Sequence, residues 1–593
     1  MSASPIFRIL DVPELVGWVT QYMSPRDLAQ CMTVCKALAH HVEPHLWSNL
    51  HVTCTTTNND FQLDALLRNR SHLRSIDIDG REGQYLKVLA HGLLPPPTDH
   101  PSASGPVMSP APAAFLPSTA ATSPPSPTTT LPAGTGFPKL QRITVTHLDN
   151  CHPKSLQQLI DITSHCRYLT MLNIPSSTLC YDNFRTDFLY TLSNSLLNLE
   201  QLILLGKDKV RGDDVLRFLQ VCSQHRRLMT LKCWFTVQRT PPMGNFTLEI
   251  LLRAMGVINN GTVNNRASDH PGRSRIKDFR LPRFMEEYPV QKFLVPLLKH
   301  FGPGLERLGL SSPMDGDLDQ LQRVCAENCP GLQHLATSYQ GDLRNNMNIS
   351  SVISCFKRPG LKSLSMDGYP HWNDTKAILD ALIDCHSHTV EQVDILDCGS
   401  TLDVLKRLFV ECKELKRLWV MDRPRGSVNN QIRYYFGDNA NNYITGPTWQ
   451  CLEMRELCVH LNSYQNGHGR IVGQIGRMVK LETLGIGYND PNLLPIPKRG
   501  RGPGCLAELR QLKNLKRLKH LLLMSDFWLS MGQAEVEFMI QHWPDLEKIS
   551  FGFFPETPQD IRREPHWQWL KRNKPNIQYT WWSDHHNYIA RQL

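Results

Sequence analysis

The sequence predicts an α/β solenoid in which a curved parallel sheet lies inside and helices lie outside, preceded by a small helical module. A short strand pattern, LxxLxL, recurs at a nearly constant step along most of the 593 residues. Amphipathic stretches of helical period separate its copies, and the N-terminal segment follows neither pattern. Because a chain of this length exceeds one compact core, repetition is the favoured way to bury its apolar residues.

The strand pattern is clearest in Leu361-Lys-Ser-Leu364-Ser-Met366, and an isolated copy at Leu73-Arg-Ser-Ile76-Asp-Ile78 is expected to start the stack. Most later copies follow one another after 25 to 30 residues, and steps of 48, 39 and 37 residues mark loop insertions. The first apolar residues of the later copies are Leu140, Leu169, Leu199, Leu228, Ile276, Leu305, Leu332, Leu361, Val390, Leu415, Met454, Leu481, Leu518 and Leu546.

The stretches between the strand copies are predicted to be helices. Residues 213 to 222 place their apolar side chains on one face at helical spacing, and a second such helix is expected over 317 to 325. Neither a strand nor a helix alone can cover its apolar side. Neighbouring units must therefore stack, with parallel strands about 4.8 Å apart.

Composition divides the chain into five parts. Residues 1–52 are predicted to form the helical module, 53–94 the first repeat and connector, and 139–555 the solenoid. Residues 95–138 are rich in Pro, Ser, Thr and Ala, and we expect a disordered loop there because they bury little apolar area. Residues 556–593 are expected to cap the last repeat, with partner binding as the alternative, because the tail carries Trp567, Trp569, Tyr579, Trp581, Trp582 and Tyr588.

Several of the 17 cysteines share one position in the repeat. Cys166, Cys329 and Cys412 each lie three residues before a first apolar residue, whereas Cys222 and Cys385 lie six and five before one. That position corresponds to the end of the preceding helix, where a small buried thiol fits. Without a CxxC pair, the pattern favours structural thiols over metal ligands, and neither a metal nor a cofactor is expected.

The cysteine-containing copies carry a family resemblance. Cys329-Pro-Gly-Leu332-Gln-His-Leu335 and Cys412-Lys-Glu-Leu415-Lys-Arg-Leu418 resemble the cysteine-containing subtype of leucine-rich repeats, over roughly residues 140 to 555. The resemblance implies that subtype's fold and a concave protein-binding face.

The N-terminal segment has a different character. Pro13-Glu-Leu15, Tyr22-Met23, Ser24-Pro25-Arg-Asp27-Leu28, Val34-Cys-Lys and Leu46-Trp47 indicate three short helices, the second capped by Ser24 with Pro25 at its first position. In their order and spacing, these residues resemble an F-box.

In the F-box family the motif binds a Skp-family adaptor, which links it to a cullin–RING ubiquitin ligase. The resemblance implies adaptor contact or module core for Pro13, Leu15, Val19, Met23, Leu28, Val34, Leu46 and Trp47. Ala37-Leu-Ala follows the Val34-Cys-Lys element, where an F-box often has an aromatic residue. Met23 stands where an F-box usually has a leucine. The alternative is a helical cap that only covers the first repeat.

Binding residues on the repeats follow from strand alternation, because apolar positions point inward and the intervening ones line the concave face. Tryptophan at such a position indicates either an apolar recognition anchor or a ring folded over a neighbouring strand or under a loop. The predicted substrate-binding residues are Lys232, Trp234, Arg280, Ser365, Asp367, Asp394, Trp419, Met421 and His460.

Other functions receive less support. The sequence contains no GxSxG, P-loop, HExxH or Rossmann pattern in a suitable context, so no catalysis is expected, although an enzyme hidden in the insertions at 237–275 or 422–450 is a weaker alternative. The net charge of +9 is modest and spread out, and no aromatics accompany the basic stretches Lys498 to Arg501 and Arg510 to His520. Those stretches indicate solvated surface or contact with an acidic partner or phosphate.

The sequence therefore favours a substrate receptor of an SCF-type ubiquitin ligase, in the cytoplasm or nucleus, with no membrane or nucleic-acid partner. No long apolar run and no secretion signal is apparent. The competing interpretation is a leucine-rich-repeat scaffold or regulator with no ligase link.

Overall fold

The structure of the chain is a computed structural model. It describes residues 13–20, 22–23, 25–53, 68–79, 139–146, 153–180, 182–225, 227–238, 258–259, 262–263, 276–280, 283–284, 288–289, 294–311, 314–315, 318–338, 349–354, 356, 360–367, 372–396, 402–421, 448–462, 468–489, 506–525, 531–551 and 564–581. The predicted disordered loop at 95–138 and most of both insertions lie outside these residues.

Three helices open the described chain: α1 (Pro13–Thr20), α2 (Pro25–Met32) and α3 (Lys36–Leu46). Helix α2 begins at Pro25, as predicted. Helix α3 packs against both α1 and α2. One buried apolar residue from each helix, Val16, Leu28 and Val42, contributes to the core of this module.

The chain divides into two compact units, Met1–Leu228 and Met229–Leu593. In the first, five parallel strands pair in chain order: β1 (Asn49–Thr53), β2 (Ser75–Asp79), β3 (Arg142–Thr146), β4 (Met171–Pro175) and β5 (Gln201–Arg211). Between or after them lie a 3-10 turn (Arg70–His72), α4 (Pro153–Ser164), a second 3-10 turn (Ser176–Leu179), α5 (Asp182–Asn194) and α6 (Gly212–Gln224).

The second unit repeats this plan. Its longer strands are β6 (Thr230–Gln238), β9 (Asp278–Arg280), β12 (Arg307–Ser311), β14 (His334–Ser338), β15 (Ser363–Asp367), β16 (Gln392–Leu396), β17 (Arg417–Met421), β18 (Glu456–Asn462), β19 (Thr483–Asn489), β20 (His520–Ser525), β21 (Lys548–Phe551) and β22 (Gln578–Trp581). Each pairs in parallel with the next.

Five two-residue strands complete the second unit: β7 (Ile258–Asn259), β8 (Thr262–Val263), β10 (Arg283–Phe284), β11 (Tyr288–Pro289) and β13 (Met314–Asp315). Its helices are α7 (Leu294–Phe301), α8 (Leu318–Asn328), α9 (Ile349–Ile353), α10 (Trp372–His386), α11 (Leu402–Glu411), α12 (His468–Ile475), α13 (Leu506–Gln511), α14 (Gln533–His542) and α15 (Pro565–Asn573), with a 3-10 turn at Gly302–Gly304. None of the helices in the described residues is both long and apolar enough to cross a membrane.

The predicted repeat positions match the strands residue by residue. Each of the fourteen first apolar residues from Leu140 to Leu546 is buried and lies two residues before the start of a strand. The sheet begins one strand earlier than predicted, because β1 precedes the copy at Leu73 and pairs with β2. At the other end, part of the predicted cap forms α15 and β22, and β22 pairs with β21 as a further repeat strand. The chain therefore has an α/β leucine-rich-repeat solenoid fold.

The shared cysteine position is a core position in the described repeats. Cys166, Cys329 and Cys412 are buried, and the thiol of Cys166 donates a hydrogen bond to the carbonyl of Ile162 (3.1 Å). Burial raises the pKa of all three thiols to about 12. Cys222 is buried too, whereas Cys385 is half-buried. Later repeats fill the position three residues before the first apolar residue with Met478, Leu515 and Trp543.

Candidate protein-binding surfaces

The N-terminal module exposes apolar side chains that a free-standing fold would bury. Trp18, Val19, Tyr22 and Val34 are 64%, 54%, 76% and 71% exposed. We call these four residues the exposed apolar set. Trp18 and Tyr22 lie one helical turn apart, with their rings edge to face at 6.0 Å between centroids. Exposed large apolar residues concentrated in so small a module indicate a surface for a protein partner.

The structure sorts the residues predicted for adaptor contact into three groups. Val19 and Val34 are exposed, and Leu28 is buried in the module core. Met23, Leu46 and Trp47 are half-buried, whereas the side chains of Pro13 and Leu15 lie outside the described ones. The predicted set omitted Trp18 and the phenol ring of Tyr22. Their spacing of four residues was the available signal, since it places both on one helix face.

Trp47 also has a second role in the structure. Strand β1 begins at Asn49, two residues after Trp47, so Trp47 occupies the first apolar position of a repeat. The backbone carbonyl of Ser48 accepts hydrogen bonds from the amides of Arg74 and Ser75 (2.9 and 3.0 Å), as turn carbonyls do in later repeats. The helical module therefore continues directly into the sheet of the first unit.

In the second unit, the predicted substrate-binding residues fall in two rows across adjacent strands. The strand register aligns Lys232, Arg280, Gly309, Ala336, Ser365, Asp394, Trp419 and Cys458, which we call the central row. Trp234, Asp367, Met421 and His460 lie two residues further along their strands, in the outer row. Trp234 is half-buried, and the side chains of the other three lie outside the described ones.

The predicted binding residues of the central row are buried. Lys232, Arg280, Ser365, Asp394 and Trp419 are each at most 8% exposed. Charged side chains at such positions require partners, because burying an unpaired charge is costly. Two clusters in the second unit supply those partners.

The first cluster joins β6 and β9. The ammonium of Lys232 lies 3.2 Å from a carboxylate oxygen of Asp278, and the guanidinium of Arg280 lies 3.1 Å from the ring centroid of Trp234. Burial lowers the pKa of Lys232, while Asp278 opposes the shift. Gly309 on β12 leaves room for Arg280, since a Cβ there would lie 2.6 Å from Arg280 Cγ. The cluster is a cation stacked on an aromatic ring beside an ion pair.

The second cluster joins β16, β17 and β18. The Nε of Arg417 donates to Asp394 (2.9 Å), and a second guanidinium nitrogen lies 3.6 Å from Glu456. The amide of Gln392 donates to the other oxygen of Asp394 (2.6 Å). Burial raises the pKa of Asp394, while Arg417 and Gln392 oppose the shift. The guanidinium of Arg417 also lies 4.7 Å from the ring centroid of Trp419.

Each tryptophan ring therefore lies against an arginine, Trp234 against Arg280 of the neighbouring strand β9 and Trp419 against Arg417 of its own strand β17. The two clusters fix charged side chains and tryptophan rings along and next to the central row, and the outer row lies two residues further along the same strands. In the described part of the chain, no group of three or more His, Cys, Asp or Glu side chains is arranged to hold a metal ion.

Comparison with known proteins adds structural neighbours only. No protein-family model and no curated protein matches the chain. Among solved structures, a leucine-rich-repeat protein of Leptospira interrogans is 13% identical, covering 87% of this chain and 91% of that one, with a TM-score of 0.29. The yeast Rad7 and Elc1 complex is 14% identical over 74% and 80% of the chains (TM-score 0.34), and an internalin of Listeria monocytogenes 12% identical over 65% and 80% (TM-score 0.26).

Proposed function

We propose that the chain is a non-catalytic substrate-recognition subunit of an SCF-type E3 ubiquitin ligase. Its F-box-like helices dock a Skp-family adaptor, and the concave face of the repeat sheet binds a protein substrate through the outer row, which the buried central row supports. The subunit accelerates ubiquitin transfer by effective concentration, because a tethered substrate meets the charged conjugating enzyme in an intramolecular encounter.

The observation that carries the adaptor assignment is the exposed apolar set. The four residues lie within the segment that resembles an F-box, and Val19 and Val34 belong to the positions predicted for adaptor contact. A module with so few buried apolar residues gains stability from a partner that covers such side chains. Exposed aromatic and aliphatic anchors are the residues that dominate binding at protein interfaces.

A second candidate function is a leucine-rich-repeat scaffold without a ligase link, whose N-terminal helices cap the repeats. The position of Trp47 favours it, because the helices pass into β1 without a linker. In that role the half-buried Trp47 contributes to folding, and Trp18 and Val34 are solvent-exposed residues of no consequence. Substitutions of the exposed residues therefore separate the two functions without disturbing the core.

The experiment is isothermal titration calorimetry of the full chain with a purified Skp-family adaptor. Trp18→Asp and Val34→Asp each place a charge where the adaptor would cover an apolar side chain, and we expect each to weaken binding by at least about thirtyfold, the loss of roughly 2 kcal/mol typical of an interface anchor. Tyr190→Asp and Val479→Asp are the matched controls, since these residues are 69% and 51% exposed outside the module.

Unchanged melting temperatures should accompany all four variants, because each residue is exposed. Wild-type affinity in both module variants, or no binding by the wild-type chain, would sink the adaptor assignment and leave the scaffold as the better account. Loss of binding in the control variants would show that the assay reports general surface disruption.

A further inference from the structure

The turns that lead into β18 and β19 expose apolar side chains at equivalent positions. Leu452 and Val479 each lie two residues before a buried first apolar residue, Met454 and Leu481, and they are 39% and 51% exposed. Lys516 takes the same position in the next repeat and is exposed. We call these three turns, residues 451–455, 477–482 and 513–519, the turn rim. Its exposed apolar residues lie on neighbouring repeats, within reach of one bound chain segment.

The turn rim carries an excess of positive charge. Its two rim carboxylates are paired, Glu453 with Lys480 at 2.6 Å and Glu482 with Lys519 at 3.2 Å. In the described part of the chain, five further exposed cations lie on the rim without an ion pair to a carboxylate: Arg455, Arg477, Lys513, Lys516 and Arg517. Arg477 donates to the side-chain oxygen of Gln474, and Lys516 donates to the carbonyl of His542. The remaining N–H groups of both side chains can still donate hydrogen bonds to an anion.

Two of the cations act together on the neighbouring repeat. The pKa of His542, at the end of α14, is lowered first by its burial and then by the positive charges of Lys516 and Lys513. The charges of Lys516 and Lys513 therefore reach the end of α14 on the next repeat, although the turn after α14 carries the exposed acidic residues Asp545 and Glu547. The cluster of cations on the turn rim favours a ligand with several negative charges over a single carboxylate.

The geometry of the repeats gives the length of the ligand. Adjacent strands lie about 4.8 Å apart, so the three turns of the rim, which lead into β18, β19 and β20, span roughly 10 Å. An extended peptide advances about 3.3 Å per residue, so about three residues would cover that distance. Alternating acidic and apolar residues would place carboxylates on the cations and an apolar side chain over Leu452 and Val479.

We propose that the turn rim binds a short, extended, acidic segment of a protein partner that carries at least one apolar side chain. This inference rests on the proposed function only in treating that partner as the substrate. A nucleic-acid ligand is less favoured, because the described turns present aliphatic rather than aromatic side chains for stacking.

The test is fluorescence anisotropy of the full chain with the labelled peptide Asp-Glu-Leu-Asp-Glu-Leu-Glu at low salt. We expect the double variant Lys513→Glu/Arg517→Glu to weaken binding by about tenfold or more, and added salt to weaken wild-type binding because exposed charges are screened. The control Lys299→Glu/Lys376→Glu reverses two exposed cations on α7 and α10 and should bind the peptide nearly as well as wild type.

Apolar contact is tested separately. Val479→Ser should weaken binding by about threefold, whereas Leu197→Ser, at the equivalent turn position of the first unit and 63% exposed, should leave it unchanged. Equal binding by wild type and the Lys513→Glu/Arg517→Glu variant would overturn the proposal. Tighter binding of a labelled twelve-residue oligothymidylate than of the peptide would also overturn it, in favour of nucleic acid.

Adaptor titration of the same variants keeps the two proposals apart. Rim variants should retain wild-type adaptor affinity, since they lie outside the N-terminal module. If the chain binds the peptide through the turn rim but does not bind the adaptor, the ligase assignment is refuted and the turn-rim proposal is supported. Adaptor binding without peptide binding would do the reverse.

Discussion

Removal of the charge of Arg417 should strongly destabilise the middle of the second unit. Arg417 on β17 holds the carboxylate of Asp394 on β16, which is fully buried and whose other oxygen is bonded only by Gln392 among the contacts described above. Arg417→Met keeps most of the length of the side chain and its packing on Trp419. The perturbation therefore isolates the loss of charge.

The size of the effect follows from burial. Breaking a buried ion pair by removing one partner costs about 3–5 kcal/mol, because the remaining charge is uncompensated. The second ion contact, with Glu456 at 3.6 Å, adds less than about 1 kcal/mol, since the Glu456 side chain is 34% exposed. Replacing both partners, as in Asp394→Asn/Arg417→Met, leaves no buried charge, and we expect it to cost only about 1–2 kcal/mol.

The sign of the pH dependence is also fixed. Burial raises the pKa of Asp394 in the folded chain, and loss of Arg417 removes a group that opposes the shift. A carboxyl group with a raised pKa binds more protons when folded than when unfolded, so the penalty in Arg417→Met should grow as the pH rises above about 4 and shrink as it falls toward that value.

Hydrogen exchange of the amides in β16, β17 and β18 gives the local free energy of opening for each variant. Arg417→Met should lose several kcal/mol at pH 7, and the double variant should recover most of the loss. An opening free energy for Arg417→Met within about 0.5 kcal/mol of wild type would refute the reasoning. A double variant as unstable as the single one would show that packing, not charge, is lost.

Three further predictions concern the repeats. Gly360→Ala should destabilise the chain by about 1–3 kcal/mol, because Gly360 has φ +95° and a Cβ there would lie 2.7 Å from Thr389 Oγ1. Gly331 takes the equivalent position in the preceding repeat, and a Cβ there would lie 3.6 Å from its nearest atom, so thermal melting should show Gly331→Ala to be close to neutral. Burial lowers the pKa of His386, whose Nε2 donates a hydrogen bond to the Ile353 carbonyl and whose Nδ1 accepts one from the Leu361 amide, so stability should fall as the pH drops below about 6.5. The fall in melting temperature between about pH 7.5 and 5.5 should be smaller in His386→Gln but not in His388→Gln. With pKa values raised to about 12, Cys166, Cys329 and Cys412 should remain unmodified by iodoacetamide at pH 8 until urea is added, and mass spectrometry showing rapid native modification would contradict their burial.

The sequence pattern predicted the repeat strands well because buried leucines at fixed spacing leave little freedom in register. All fourteen first apolar positions precede strands by two residues. Strand β1 was missed because Trp47, Leu50 and Val52 follow the same spacing as a repeat, yet Trp47 also completes the F-box resemblance. Because Trp47 was assigned to the helical module, it was not also recognised as the first apolar residue of a repeat.

The candidate surfaces were less predictable. Strand alternation predicted that Lys232 and Asp394 lie on the face opposite the leucines. It did not predict that they are buried, because their burial depends on Asp278 and Arg417, which reach them from neighbouring strands. The turn rim was only visible as a basic stretch around Lys513, since its remaining cations come from turns that are separated in sequence and adjacent in the sheet.

The central claim is that the N-terminal helices form a docking site for a Skp-family adaptor while the repeats remain open for a second partner. Hydrogen exchange of the full chain with and without the purified adaptor tests it most directly. The account predicts slower exchange over α1, α2 and the turn that contains Val34, and unchanged exchange in β6 to β22. Unchanged exchange throughout the N-terminal helices, or protection confined to the repeat strands, would contradict it.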